Sequence, residues 1–207
     1  MPPWPNVAKW PPEDAPGPVD FLAVLNARRS STGGHVAEAD LAAVLWRATT
    51  LRHRGSDGRF GMWESRSAPA SGGLHGILLL VLPLEPAVPA GVYDLDHHAL
   101  VADSGLKDAR SLNQASVAEL ISATSGTTIQ LVADARRYDA CYTHWESLAL
   151  RDAGALAMTI CLAATARSLT SVVLGRLGSE IADAALMGDG YVGVGAVHLG
   201  TPLTRRG

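Results

Sequence analysis

Cysteine is nearly absent: Cys141 and Cys161 are the only two in 207 residues. Two thiols cannot build a disulfide framework or a four-cysteine zinc site. Lysine is as scarce. Lys9 and Lys107 are the only lysines among 17 basic residues, so arginine carries nearly all of the positive charge. Arginine can grip a phosphate with two prongs where lysine offers a point charge. Neither sign of charge is in large excess, because the net charge is −3. Bulk electrostatics therefore make no case for a nucleic-acid partner. Long apolar runs are missing too. The longest uncharged apolar stretch, 153–166, falls short of the roughly 20 residues that a membrane span needs, so it reads as a buried helix and no membrane partner is expected. The first 18 residues lack the apolar core of a signal peptide, which points to the cytoplasm.

What is present is a folded-domain composition. Hydrophobic residues make up 47% and charged residues 18%, which excludes a disordered or collagen-like chain. Residues 1–18 form a separate arm with seven prolines, expected to be extended and partly polyproline II. Trp4 and Trp10 sit in it. The arm either packs on its own domain or embraces a second subunit. Residues 19–207 read as one domain of ordinary size.

Periodicity predicts helices over 19–29, 38–51, 116–122, 145–167 and 180–186. Extended segments are expected at 74–83, 127–134, 171–174 and 191–199, with a hairpin over 91–101. The polar, Gly-rich stretch 52–67 reads as a loop, and 69–73 as a tight turn. Helices and strands mix without a βαβ rhythm, so the expected class is α+β.

Several motifs fail on their context. Gly188 to Gly193 spells G-x-G-x-x-G, but a helix precedes it and a strand follows, the reverse of a dinucleotide site. His97-His98 at a hairpin tip has no partner ligands at metal-binding spacing. Cys141-x-x-His144 has no oxyanion hole near it in sequence. Three arginine-bearing segments are better candidates. Arg28-Arg29-Ser30 at a helix end offers two forks and a hydroxyl to an anion. Arg66 precedes Pro69-Ala70-Ser71-Gly72-Gly73, whose small residues can expose backbone N–H groups. Arg205-Arg206 is a third cation pair.

The order and spacing of these pieces carry a resemblance over residues 19–204. Arg28-Arg29-Ser30 is followed by Arg66-x-x-Pro69-x-x-Gly72-Gly73-Leu74-His75, Gly91-Val92-Tyr93-Asp94, Leu150-Arg151-Asp152-Ala153-Gly154, Leu174-Gly175 and Leu199-Gly200-Thr201-Pro202. The chain resembles the FMN-dependent nitroreductase superfamily, and within it the branch of peptide azoline oxidases and related dehydrogenases. The resemblance implies an α+β sandwich, with a mostly antiparallel sheet flanked by helices, in an interlocked homodimer with FMN in the interface. It implies that Arg28, Arg29 and Ser30 hold the FMN phosphate and ribityl chain, and that Arg205 returns to the phosphate. It places Pro69, Ala70, Ser71, Gly72 and Gly73 against the flavin from the partner subunit, and Leu174 and Gly175 at the ring.

The activity implied is oxidation of azoline heterocycles in a peptide to azoles, with a cyclodehydratase as a possible pathway partner. Alternatives on the same fold are an NAD(P)H-dependent nitro or quinone reductase acting on a small molecule, and a binding module without catalysis. Tyr142 or Tyr138, then His144, are the expected proton-transfer residues. The family's turn usually has Ser directly after the proline; Ala70 stands there and Ser71 follows, which puts one flavin hydrogen bond in question. Azoline oxidases often carry Lys-Tyr where this chain has Arg137-Tyr138, and arginine cannot accept a proton near neutrality.

Overall fold

The computed structural model describes residues 7–9, 19–185 and 188–203. Arg205 and all of the arm except 7–9 lie outside the described residues. Of the arm, β1 (Val7–Lys9) is a strand. After it come α1 (Phe21–Ala27), α2 (Glu38–Thr49) and the strands β2 (Leu51–Gly58) and β3 (Gly61–Arg66). Then follow β4 (Ile77–Pro83), β5 (Gly91–Asp94), β6 (Ala99–Ala102), α3 (Lys107–Ile121) and β7 (Thr127–Asp134). The short α4 (Ala135–Asp139), the long α5 (Trp145–Ala166), β8 (Thr170–Leu174), α6 (Ser179–Ala184) and β9 (Tyr191–Gly200) complete the order.

Among the described residues seven strands form one sheet in the order β1-β6-β5-β4-β7-β9-β8, and every paired neighbour is antiparallel. β4 and β7 are buried along nearly their whole length, as their continuous apolar runs demand of strands covered on both faces. Alternation then divides the core. Leu79, Val81, Ile129, Leu131, Val197 and Leu199 face the α2 and α5 side, where Leu41, Val44, Leu45 and Ala48 form the buried stripe of α2. Leu80, Leu82, Val92 and Val132 face the other side and meet Leu106, Ala109 and Ile181. The architecture is thus α+β, as the sequence predicts.

α5 runs 22 residues from Trp145 and is long and apolar enough, by length and composition, to cross a membrane. It serves here as a core helix: Ala149, Ala153, Leu156, Ile160 and Ala164 recur at helical spacing and are buried against the rest of the fold.

Three local expectations are corrected, and one short helix is added. The segment 52–67 is a two-stranded antiparallel hairpin, β2 with β3, separate from the main sheet. It is mostly exposed and its burial does not alternate, so hydrophobic patterning had nothing to report. α3 begins at Lys107 rather than 116; its first turns are polar apart from Ala109 and Leu112. α4, between β7 and α5, has only five residues, too few for a helical period to show, and is capped by the Asp134 side chain accepting from Arg137 N–H at 3.4 Å. β4 starts at Ile77, not 74, because the chain before it turns through positive φ at Gly72 (+58°), Gly73 (+68°) and His75 (+46°), left-handed values outside the extended region.

Candidate functional site

The residues singled out in the sequence fall into two groups, one toward each end of α5. The first lies where α1 meets β8. The Asp20 carboxylate caps α1 by accepting from Leu22 N–H at 2.9 Å, and the helix ends at Arg28. The chain then runs beside β8: Ser30 forms a parallel bridge with Ser171, and Ser31 N–H donates to the Ser171 carbonyl at 3.2 Å. Arg29 folds its Nη1 onto the carbonyls of Asn26 and Arg28 at 2.6 and 2.8 Å, satisfying the end of α1. Arg28 is half-buried and close enough to the buried Cys161 of α5 for its charge to act there. Burial pushes the Cys161 thiol up, and Ser171 and Arg28 pull it the other way. Neither Arg28 nor Arg29 enters an ion pair among the described residues. Past Leu174, which is buried, Gly175 is exposed; a Cβ there would meet none of the described residues within 4 Å.

The second group surrounds the turn 69–73. Asp152, on the inner face of α5 and only 6% exposed, accepts from Ser71 N–H at 3.0 Å, Ser71 Oγ at 2.9 Å and the Tyr138 hydroxyl at 2.7 Å. A buried carboxylate in the middle of an apolar helix is stable only with such a set of donors. Ala70 has no hydroxyl and that of Ser71 is committed to Asp152, so within one chain the turn faces outward with backbone alone. Gly72 and Gly73 have φ of +58° and +68°, and a Cβ on Gly73 would lie 2.8 Å from the Glu64 carbonyl oxygen. Gly73→Ala is therefore expected to destabilise by at least ~1–2 kcal/mol. That is a fall in melting temperature of several degrees, read by thermal denaturation.

Across a cleft of about 470 Å³ lies the β2–β3 hairpin, with Trp63, Glu64 and Arg66 on one wall and Gly72, Gly73 and His75 on the other. Arg66, 7% exposed, welds the hairpin to the β5–β6 turn: Nε donates to Glu64 at 2.6 Å, Nη2 to Asp96 at 2.7 Å, and Nη1 to the carbonyls of Thr49 and Leu95 at 3.1 and 3.2 Å. Burial works against ionised Glu64, yet Arg66 and Arg54 hold its carboxyl below the usual range. Burial pushes the His75 imidazole down, against the hydrogen bond of its Nε2 to the Glu64 carbonyl at 3.0 Å.

The three expected proton-transfer residues separate clearly. Tyr138 is fully buried; burial, then the Asp152 carboxylate, push its hydroxyl far above the usual phenol range. It is a donor that braces Asp152. Tyr142 is half-buried, its ring edge-on to Phe60 at 5.0 Å and its hydroxyl against Gly72, where an added Cβ would lie 2.5 Å away. His144 is exposed at the N-cap of α5.

Within one chain the two groups do not meet. Cys161, beside the Arg28 group, and Asp152, beside the turn, are separated by about 14 Å of helix axis at 1.5 Å per residue. The residue that organises the second group, Asp152, had one sequence signal: an acid within the Leu-Arg-Asp-Ala-Gly motif of an otherwise apolar helix.

No family model and no curated protein matches the chain. Solved structures do. A nitroreductase candidate from Ralstonia eutropha JMP134 superposes with a TM-score of 0.68 at 21% identity, over 96% of this chain and 90% of that one. This chain has the nitroreductase fold. A nitroreductase family protein from Clostridium novyi NT gives a TM-score of 0.57 at 15% identity, covering 90% of this chain and 87% of its own. A Parabacteroides distasonis ATCC 8503 protein, described as a candidate NADH dehydrogenase/NAD(P)H nitroreductase, gives 0.54 at 14%, covering 89% and 88%. On this nitroreductase fold the Arg28 group lies beside the edge strand β8, and the 69–73 turn lies beneath the β2–β3 hairpin.

Proposed function

We propose that this protein is an FMN-dependent oxidoreductase that works as a homodimer. The observation that carries the reading is the Arg28 group on a nitroreductase fold: two guanidinium groups without acidic partners among the described residues, beside an exposed Ser30, and an open backbone at Gly175 just past the end of the same edge strand. Those residues fit the cofactor. Its phosphate carries close to two negative charges and needs donors of this kind. Its flat ring needs backbone with no side chain in the way. FMN, when bound, supplies a reversible two-electron acceptor.

The chain's own residues do the rest. Arg28, Arg29 and Ser30 would hold the phosphate and ribityl chain, and Leu174-Gly175 would approach the ring. The turn 69–73, held by Asp152, would come from the partner subunit. A dimer is supported by apolar side chains that one chain leaves uncovered. Phe21 and Leu22 of α1 are 62% and 63% exposed, and Leu150 and Met158 of α5 are 47% and 45% exposed. The groove between α1, α2 and α5 measures about 600 Å³. Phe21 lines this groove with Val19, Val24, Leu162 and Ala163, an apolar surface that a second subunit would cover.

For the reaction, the sequence motifs favour dehydrogenation of an azoline ring in a peptide. With the Tyr138 hydroxyl held by Asp152, Tyr142 and His144 remain for proton handling. His144 can accept a proton at a ring nitrogen, and the Tyr142 hydroxyl can orient the substrate beside the turn. The second reading is an NAD(P)H-dependent reductase of nitro compounds or quinones, favoured by the descriptions of the structural neighbours.

The test is the visible spectrum of the purified protein with FMN, followed by anaerobic titration. Flavin absorbance that bleaches with an azoline peptide, without NAD(P)H, supports the first reading. Rapid bleaching by NAD(P)H alone supports the second. A folded protein that stays colourless and takes up no FMN overturns both and leaves a binding module.

A further inference from the structure

The loop 175–178, between β8 and α6, is held from below by buried polar side chains of two other elements. Gln130 of β7 is 0% exposed. Its Nε2 donates to the Leu177 carbonyl at 2.7 Å, the Gly195 carbonyl at 2.8 Å and the Leu131 carbonyl at 3.2 Å. Asn113 of α3 is also 0% exposed; its Oδ1 accepts from Arg176 Nη2 at 2.6 Å and its Nδ2 donates to the Leu82 carbonyl at 3.4 Å. The ladder between β7 and β9 breaks register between Leu131 and Val132, and this bulge lets Gly195 N–H donate to the Leu177 carbonyl at 3.1 Å. One carbonyl of the loop thus accepts from both a backbone and a side-chain donor. Space beneath the loop is full. Gly178 has φ +82°, and a Cβ there would lie 2.3 Å from Gln130 Oε1; one on Gly193 would lie 2.5 Å from the Gly178 carbonyl carbon.

These contacts are costly to assemble. Gln130 Oε1 and Arg176 Nε and Nη1 are buried without a partner among the described residues. Leaving buried polar groups unpaired is destabilising, and a hydrophobic side chain of the same volume would avoid it. A core that keeps an amide and an Arg-Asn pair under one four-residue connection favours a fixed loop over maximal stability. The loop's other side is open: Gly175 and the Leu177 side chain, 54% exposed, face outward.

We propose that Gln130 and Asn113 are positioning residues that clamp the loop 175–178 in the one conformation that can receive the flavin ring. This rests on the FMN reading above. Neither residue reaches the ring; each acts through the loop's carbonyls or Arg176.

The variants are Gln130→Met, which keeps the volume and removes the donor, and Asn113→Leu. A neighbouring core variant, Val132→Ala, serves as the control for stability loss alone. Two measurements are made on each full-length protein. The first is hydrogen exchange of the Gly195 amide without FMN; it reports the clamp whether or not flavin binds. The second is FMN titration by fluorescence quenching, with the absorbance band positions of the bound flavin. Gln130→Met is expected to raise Gly195 exchange beyond Val132→Ala at equal global stability. It is expected to weaken FMN by about tenfold, the equivalent of 1.4 kcal/mol, and to shift the bound flavin's bands. Asn113→Leu should shift the bands in the same sense; Val132→Ala should not. A folded Gln130→Met protein with unchanged Gly195 exchange overturns the clamp. Faster exchange with unchanged FMN affinity and bands overturns its role toward the flavin. Wild-type protein that takes up no FMN overturns the flavin reading itself, which separates that failure from the other two.

Discussion

Asp152→Ala is expected to destabilise the fold by roughly 3 kcal/mol, because it strands the Ser71 amide, the Ser71 hydroxyl and the Tyr138 hydroxyl in a buried place. For a chain of this size that lowers the melting temperature by about 6–12 °C. Asp152→Asn should cost less, since the amide keeps one acceptor oxygen, though it points an NH₂ group at donors. Tyr138→Phe should be milder still, removing one donor and leaving Ser71 in place. The cycle Asp152→Ala with Tyr138→Phe isolates the Tyr138–Asp152 contact. Coupled effects, with the double variant well short of the sum of the singles, are the expected result. Strict additivity, or an Asp152→Ala protein that melts with the wild type, would remove Asp152 as the organiser of the turn. A loosened turn should also weaken FMN, through Ser71 and the glycines that Asp152 holds in place.

Arg28→Ala is expected to leave the fold intact and to reduce FMN affinity by about ten- to a hundredfold, the loss of one charge-assisted contact worth roughly 1.5–3 kcal/mol. Arg28 is half-buried at the end of a helix that buries none of its own side chains, so the core does not depend on it. Arg28→Lys should recover part of the loss, because an ammonium keeps the charge without the second prong. Fluorescence quenching measures affinity, and light scattering at several protein concentrations measures association. If flavin lies between subunits, its loss also weakens the dimer by mass action. Unchanged affinity in a folded Arg28→Ala protein removes Arg28 from the site. A monomer that binds FMN tightly overturns the interface.

Most of the fold was legible because its signals are periodic. The run 77–82 suits a strand covered on both faces, the apolar stripe of α2 announced its buried side, and the nearly all-round apolar second half of α5 announced a buried helix. The β2–β3 hairpin was illegible for the opposite reason: it lies largely outside the core, so its Gly-, Arg- and Ser-rich strands carry no period. The site was half legible. Arg28, Ser30 and Gly175 are recognisable as residue types at a helix end and a strand end. Asp152 is not, because its meaning lies in Ser71, 81 residues away. Gln130 lay in an apolar strand, where a polar residue declares that it has a partner but not which one; Asn113 lay in a polar stretch of α3, where nothing set it apart.

The strand order also governs how the chain comes together. β4–β5 and β5–β6 join strands close in sequence and β8–β9 strands about twenty to thirty residues apart; β7 reaches β4 about fifty residues back, β9 meets β7 about seventy residues later, and β1 pairs with β6 across about ninety. Such distant pairings make folding slow, since loops must close before their contacts repay the cost. The β2–β3 hairpin, by contrast, pairs residues within one local stretch and can form early without waiting for the sheet. One wall of the cleft is thus a quickly made local unit, while the clamp beneath loop 175–178 forms only when β9 has found β7.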